Sequence, residues 1–272
     1  MRVGVLGPRG SYSEMAASRR FPDAELVYYD DIEDIFDAVE SHKADAGVVP
    51  LENSLEGSVA LTLDLLLRRS LFICGEVVIP IRHSLLGRGD PDNIRIILSH
   101  PQALAQCRQY IRRRYPGVEV RTTGSTSHAA RLAQEFPEMA AIANMEAART
   151  YGLKVLDSDI QDSKNNVTRF VVLSRKMSRR TGDDRTSIVV YLEKDRPGAL
   201  FSILREFAIR NINLTRIESR PSRRELGDYY FFIDLEGHIE DGAVRESLEA
   251  IEKAANMVRV LGSYPKDQVI LK

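Results

Sequence analysis

Residues Ser174 to Arg185 read SRKMSRRTGDDR, with seven charged side chains around the single apolar Met177. Such a stretch cannot bury a face. Its basic run, Arg175, Lys176, Arg179 and Arg180, is answered at once by Asp183 and Asp184, so it reads as a solvated linker. The rhythm of the chain differs on its two sides. Upstream, strand and helix patterns alternate. Arg2–Leu6 reads as a strand, Ile32, Ile35, Phe36 and Val39 fall on one helical face, and Ala46–Val49 is a short buried strand. Val59, Leu63, Leu66 and Leu67 form a second helical stripe. Strands at 72–81 and 94–98, a helix near 102–115, a strand at 118–121, a helix near 126–135 and strands at 140–143 and 168–173 follow. That alternation predicts α/β layers with largely parallel strands. Downstream, strand 187–192, helix 199–210, strands 214–220 and 229–236, helix 241–255 and strand 257–264 give a ferredoxin-like βαββαβ unit.

The composition is that of an ordinary globular chain: 272 residues, 43% hydrophobic and 28% charged. With 38 basic and 39 acidic side chains the net charge is −1, which leaves no overall field for nucleic acid. Cys74 and Cys107 cannot form a disulfide framework or a four-thiolate metal site. No segment has the ~20 apolar residues of a membrane span. Met1–Leu6 followed by Gly7-Pro8 reads as a first strand and its turn rather than an export signal, so the cytoplasm is the expected compartment.

Three segments place small and hydroxylated residues ahead of a helical pattern: GPRGSYSE (7–14, with Ser11 and Tyr12), ENSLEGSV (52–59, with Ser54) and TGSTSHAA (123–130, with Ser125 and Thr126). Each alone is a helix cap. A cleft lined by several such termini would hold carboxylates or phosphates. None is a nucleotide-binding loop. In SHPQALAQC (99–107), a helix starting near Pro101 puts Gln102 and Gln106 on one face, where two amides can grip a polar ligand or sit on the surface. Thr168 and Arg169 stand at the entrance to a buried strand. His42, His83, His100, His128 and His238 lack metal-ligand spacing.

Taken in order, GVLGPRGSYSE (4–14), VPLENSLEGSV (49–59), SHPQALAQC, NVTRF (166–170), GALF (198–201), INLTRIESRP (212–221) and YFFIDLEG (230–237) span nearly the whole chain. Together they resemble the monofunctional prephenate dehydratases that carry a C-terminal ACT regulatory domain. The resemblance implies a two-lobed, periplasmic-binding-protein-like (type II) catalytic domain over 1–178, with its cleft between the lobes, and an ACT domain over 185–272. One lobe would comprise Met1–Ile73 and roughly Leu153–Leu173. With the first strand opening at Arg2, the chorismate mutase segment fused ahead of some family members is not expected.

The implied activity is that of a carbon–oxygen lyase: loss of carbon dioxide and hydroxide from prephenate to give phenylpyruvate, in phenylalanine biosynthesis. Aromatisation drives the step, so neither cofactor nor metal is expected. By the same resemblance Thr168 hydrogen-bonds the leaving hydroxyl, with Asn53, Ser99 and Gln106 as partners and Glu52 nearby as a candidate proton source. Arg169 binds or orients a carboxylate, and Phe170 completes the tripeptide. Phenylalanine would act as allosteric effector on Gly198, Ala199, Leu200, Asn213, Glu218, Ser219, Arg220 and Pro221, where the loop DRPGALF (195–201) leaves a helix N-terminus open. The aromatic run Tyr229–Phe232 gives both faces of the ACT sheet apolar cover and predicts a homodimer or homotetramer. Two other readings stay open: an arogenate dehydratase, and a non-enzymatic amino-acid-sensing protein built from the same modules.

Overall fold

The computed structural model describes residues 1–192, 197–223 and 227–267. The chain packs as two compact units, Met1–Thr62 with Val77–Phe170, and Leu63–Glu76 with the described part of Val171–Ile270. It runs through β1 (Arg2–Leu6), α1 (Tyr12–Arg20), β2 (Glu25–Tyr29), α2 (Ile32–Glu40), β3 (Ala46–Asn53), β4 (Gly57–Ser58), α3 (Ala60–Arg68) and β5 (Phe72–Pro80). Then come β6 (Ser84–Gly87), β7 (Ile96–Ser99), α4 (Pro101–Gln106), α5 (Arg108–Arg114), β8 (Glu119–Thr122), α6 (Thr126–Ala133), β9 (Met139–Ala143), α7 (Met145–Tyr151), β10 (Lys154–Asp157) and β11 (Val167–Ser174). Last are β12 (Asp184–Tyr191), α8 (Ala199–Ala208), β13 (Leu214–Pro221), β14 (Tyr229–Glu236), α9 (Gly242–Glu252) and β15 (Met257–Pro265).

The first sheet has the order β2-β1-β3-β11-β5, with β4 folded back on β3. The second has the order β10-β6-β9-β7-β8. These are two α/β lobes. The lobe boundaries differ from the expected ones. β5 stays in the first sheet as far as Pro80, and β10 pairs with β6 in the second, so the chain returns to the first lobe only after Asp157. Pairing is parallel for β1 with β2 and β3, and for β7 with β8 and β9. It is antiparallel for β6 with β9 and β10. The second sheet is therefore mixed rather than largely parallel.

Local signals account for the elements the sequence marks clearly. α2 starts at Asp31, whose side chain accepts from the Glu33 N–H at 2.9 Å, and buries Ile32, Ile35, Phe36 and Val39. In the second lobe, Ala129, Ala130 and Ala133 of α6 bring that helix close to Leu86, Leu98 and Ala141 of the sheet. Two expectations need correction. The helix near 102–115 breaks at Cys107, which leaves helical geometry with ψ 18° and caps both α4 and α5. The segment 52–59 is no helix start. Glu52 and Asn53 pair with Ser58 and Gly57 in a hairpin, because the Asn53 carbonyl captures the N–H groups of Leu55 and Glu56, and α3 begins only at Ala60.

In the second unit the sheet order is β13-β14-β12-β15, the ferredoxin-like arrangement expected. Ile203 and Phe207 of α8 and Val244, Leu248 and Ile251 of α9 pack on Ile188, Val190, Ile233 and Leu235. The opposite face carries Val189, Phe232 and Tyr264, all nearly inaccessible. Segment Leu63–Glu76 of the same chain lies close to this sheet. Arg259 donates to the Leu67 carbonyl at 2.7 Å, and a Cβ on Gly262 would sit 2.1 Å from the Ile73 carbonyl oxygen, so only glycine fits there. The stretch 174–185 is exposed over most of its middle, as a solvated linker would be, and is anchored at its C-terminal end. Asp184 is 3% exposed and accepts from Thr181 and Gly182, while Arg185 pairs with the buried Glu76. Arg180 and Asp183 also pair, with Asp241 and Lys266, partners remote in sequence that a composition argument does not detect. Among the described residues, no helix is long and apolar enough to cross a membrane.

Candidate active site

A cavity of about 260 Å³ opens between the two lobes of the first unit. The N-terminal ends of three helices meet on it. Ser11 caps α1, His100 caps α4 and Ser125 caps α6, each accepting an N–H from its own first turn. The Ser11 hydroxyl accepts from Glu14 N–H and donates to the Leu6 carbonyl, and Ser125 Oγ accepts from His128 N–H at 3.0 Å. What these ends offer a ligand is therefore chiefly first-turn N–H groups, which have no partner within a helix. Ser127, at the start of α6, lines the cavity with a buried hydroxyl that has no hydrogen-bond partner. No Asp, Glu, Lys or Arg is among the described lining residues. What the described lining residues offer an anion is neutral donors and helix ends.

One wall is a chain of amides whose polarity is fixed from one end. Asn53 stands at the end of β3, and its Oδ1 accepts from Leu55 N–H at 3.0 Å and Glu56 N–H at 3.1 Å. Its Nδ2 is thereby the donor, to Thr168 Oγ1 at 2.9 Å and Asn166 Oδ1 at 2.7 Å. Asn166 Nδ2 donates in turn to Gln106 Oε1 at 2.9 Å, which links the lobes. Thr168, at the start of β11 and 9% exposed, accepts from Asn53, and among the described residues its own hydroxyl proton has no acceptor. It is free to be donated into the cavity.

The structure thus brings Ser11, Tyr12, Asn53, Gln102, Gln106, Ser125, Thr126 and Thr168 onto one cavity. Tyr12 presents its ring, since its hydroxyl is committed to the Arg82 carbonyl at 2.5 Å and burial raises its pKa. Five expected residues do not line the cavity. Ser99 is fully buried and donates to the Ile142 carbonyl at 2.6 Å. Ser54 bonds the backbone of Asn165 and Val167. Phe170 is a core side chain, 2% exposed. Glu52 and Arg169 form an ion pair at 3.5 Å, with Arg169 itself 9% exposed. Alternation along β3 and β11 explains Glu52 and Arg169, which neighbour Asn53 and Thr168 and point to the other faces of their strands, while Phe170, two residues beyond Thr168, lies deeper in the core. Residue patterns did not mark Asn166 as a link, and weighed His83 only as a metal ligand. A lone histidine in IRHSL carries no spacing signal, and its partners Gln106 and Gln161 are remote in sequence. Cys107 is buried, and burial pushes its thiol pKa up to about 12, as suits a packing residue.

The expected effector residues divide. Gly198 caps α8 in the left-handed region, φ +82°, with Ala199 and Leu200 opening the helix, while Asp195 and Arg196 lie outside the described residues. Ser219 pairs with Phe231, on the sheet face that packs α8 and α9. Glu218 and Arg220 pair with Phe232 and Tyr230 and so lie on the opposite face, where Arg220 Nη2 bonds Asp64 Oδ1 at 2.9 Å. Pro221 ends β13, and Asn213 lies exposed just before it.

The prephenate dehydratase family model matches residues 3–178, and the ACT domain model matches residues 186–253. The prephenate dehydratase of Methanocaldococcus jannaschii is 43% identical over 267 residues, 95% of this chain and 96% of that protein. The bifunctional chorismate mutase/prephenate dehydratase of Aquifex aeolicus is 43% identical over 268 residues, 98% of this chain and 74% of that one. The crystal structure of prephenate dehydratase in complex with L-Phe from Arthrobacter aurescens has a TM-score of 0.89 at 37% identity, covering 97% of this chain and 90% of that one. With the cleft, the ACT-type sheet and these likenesses all in agreement, the chain belongs to the prephenate dehydratase family and carries a C-terminal ACT domain.

Proposed function

We propose that this chain catalyses the decarboxylating dehydration of prephenate to phenylpyruvate in phenylalanine biosynthesis, and that the cavity between the lobes is where it does so. The observation that carries the assignment to this cavity is the Thr168 hydroxyl, held as an acceptor by Asn53 and left with a proton to donate. In the reaction the electron pair of the C–CO2⁻ bond moves into the ring and expels the opposite hydroxyl. Carbon dioxide and phenylpyruvate form, and the departing oxygen takes one proton to leave as water. Thr168 donates a hydrogen bond to that oxygen, and the proton that turns the departing hydroxide into water is supplied by solvent. The helix N-termini hold the substrate's carboxylates without a formal cation. A carboxylate that gains no ion pair in the ground state loses less on becoming neutral carbon dioxide. Glu52, paired with Arg169 outside the lining, is a positioning residue in this reading rather than the proton source. Ser99 and Ser54 fix backbone around the site, and Phe170 anchors β11.

Phenylalanine is the small-molecule effector, acting at the ACT domain. The catalytic part is 1–178 and the regulatory part 185–272, in the cytoplasm. Segment Leu63–Glu76 of the same chain lies near the sheet face away from α8 and α9. The argument for an oligomer therefore moves to the exposed Phe201 and Ile209 at the two ends of α8 and to the edge strand β13, whose Ile217 is 46% exposed. A homodimer through that edge is the assembly proposed, with a tetramer built on it. Side-by-side turnover of prephenate and arogenate tests the activity. Phenylpyruvate formed from prephenate at the higher kcat/KM supports the reading; preference for arogenate, or no turnover of either, rejects it. Calorimetry with phenylalanine on wild type and Gly198→Val tests the effector site, with binding expected only in the first.

A further inference from the structure

His83 lies between β5 and β6, lines the cavity and is 2% exposed. Its backbone N–H is held by Gln161 Oε1 at 2.8 Å, and its ring meets the Tyr12 ring edge-on with centroids 6.2 Å apart. Nε2 is 2.9 Å from Gln106 Oε1, and Nδ1 is buried with no partner.

The direction of every hydrogen bond reaching this ring can be read from the backbone. Leu55 and Glu56 N–H groups make Asn53 Oδ1 an acceptor, so Asn53 donates to Asn166 Oδ1 and Asn166 donates to Gln106 Oε1. Gln106 Oε1 is therefore an acceptor, and His83 must meet it with a proton on Nε2. Nδ1 is then a bare lone pair. A proton added there would be a buried donor without an acceptor, and burial accordingly lowers the pKa of the ring, opposed by the bond to Gln106. With its carbonyl held twice, Gln106 has only its NH2 group left to offer the cavity it lines, and among the described residues that group has no partner.

We infer that His83 is a positioning residue: its neutral, Nε2-protonated ring locks the Gln106 amide so that an NH2 donor, not a carbonyl, faces the substrate. The consequence rests on the cavity being the prephenate site. There the reversed amide would set a carbonyl oxygen against a dianion and against the hydroxide that departs from it, and would turn its NH2 onto that of Asn166. The locked amide instead gives the leaving oxygen a second donor besides Thr168.

The test uses the full chain with histidine labelled by 15N, the variants His83→Gln and His83→Leu, steady-state kinetics on prephenate, and thermal melts. Glutamine places an N–H near the Nε2 position; leucine does not. The ring of His83, assigned by the signal lost in His83→Gln, should show a proton on Nε2 and none on Nδ1 at neutral pH. His83→Gln should stay within about threefold of wild type, whereas His83→Leu should lose roughly 10-fold in both kcat and kcat/KM, the scale of one hydrogen bond made in the transition state. A proton on Nδ1, wild-type kcat in His83→Leu, or equal losses in two folded variants would each overturn the inference, the last by reducing His83 to a space-filler. If wild type fails to turn over prephenate, the proposed function falls, and the ring spectrum still decides whether His83 sets the amide.

Discussion

Asn53 Nδ2 donates to Thr168 Oγ1 at 2.9 Å, and it can only donate, because the carbonyl of the same amide is taken by the N–H groups of Leu55 and Glu56. A hairpin turn thus dictates the direction of a side-chain bond to a residue remote in sequence. Asn53→Asp keeps the two backbone bonds but loses every bond its NH2 donates: the carboxylate faces Asn166 Oδ1 with no proton to give, and it would accept the Thr168 proton and withhold it from substrate. The expected loss in kcat is about 100-fold or more, with KM changed far less, read by steady-state turnover of prephenate. A variant within about threefold of wild type would remove Asn53 from the mechanism.

Glu52 offers a contrasting case. Its carboxylate pairs with Arg169 and does not line the cavity. Glu52→Gln should lower kcat by less than roughly 10-fold, since it removes the charge of an ion pair but no proton donor. A loss of about 1,000-fold with the fold intact would make Glu52 the acid.

The two Asp64 oxygens are held by Arg220 and Arg223, each at 2.9 Å, and Asp64 sits on the helix that follows the Asn53 hairpin in the chain. Asp64→Asn should leave phenylalanine binding within about threefold while reducing the mutual effect of phenylalanine and a substrate analogue, which for allosteric pairs is typically about 5–150-fold. Calorimetric titration of each ligand with and without the other measures it. Unchanged coupling would show that this pair transmits nothing.

Acid stability reports on Asp184. Burial alone would raise its pKa, but hydrogen bonds from Thr181 and Gly182 outweigh burial and leave it below the ordinary 3.8. A depressed carboxyl stabilises the fold fully above its unfolded value and loses that contribution as pH falls through the folded one. Melting temperature should therefore fall below about pH 4, and less steeply in Asp184→Asn. Parallel slopes would assign acid unfolding to other carboxylates.

How far these relationships are legible in sequence depends on their range. α2 shows in its own periodicity, as does the βαββαβ order, and the hydroxyl-rich stretches before α1 and α6 mark real helix starts on the cavity. The stretch before α3 has the same composition but forms a hairpin, because an Asn two residues before free N–H groups can capture them either way. β6 and β10 are four residues each and leave no period to read. The amide chain joins positions 53, 106, 166 and 168 through long-range contacts. Family likeness marks Asn53, Gln106 and Thr168 in the sequence and includes Asn166 only as part of NVTRF, while the direction of each bond follows from the folded backbone alone.

The most direct measurement of the account is kcat for prephenate in wild type, Thr168→Ala and Thr168→Ser. Alanine removes the only hydroxyl that Asn53 prepares as a donor, and a fall of about 100-fold or more is predicted. Serine keeps the oxygen and should retain most of the activity. A Thr168→Ala enzyme within a few-fold of wild type, or a serine variant no better than alanine, would contradict the account.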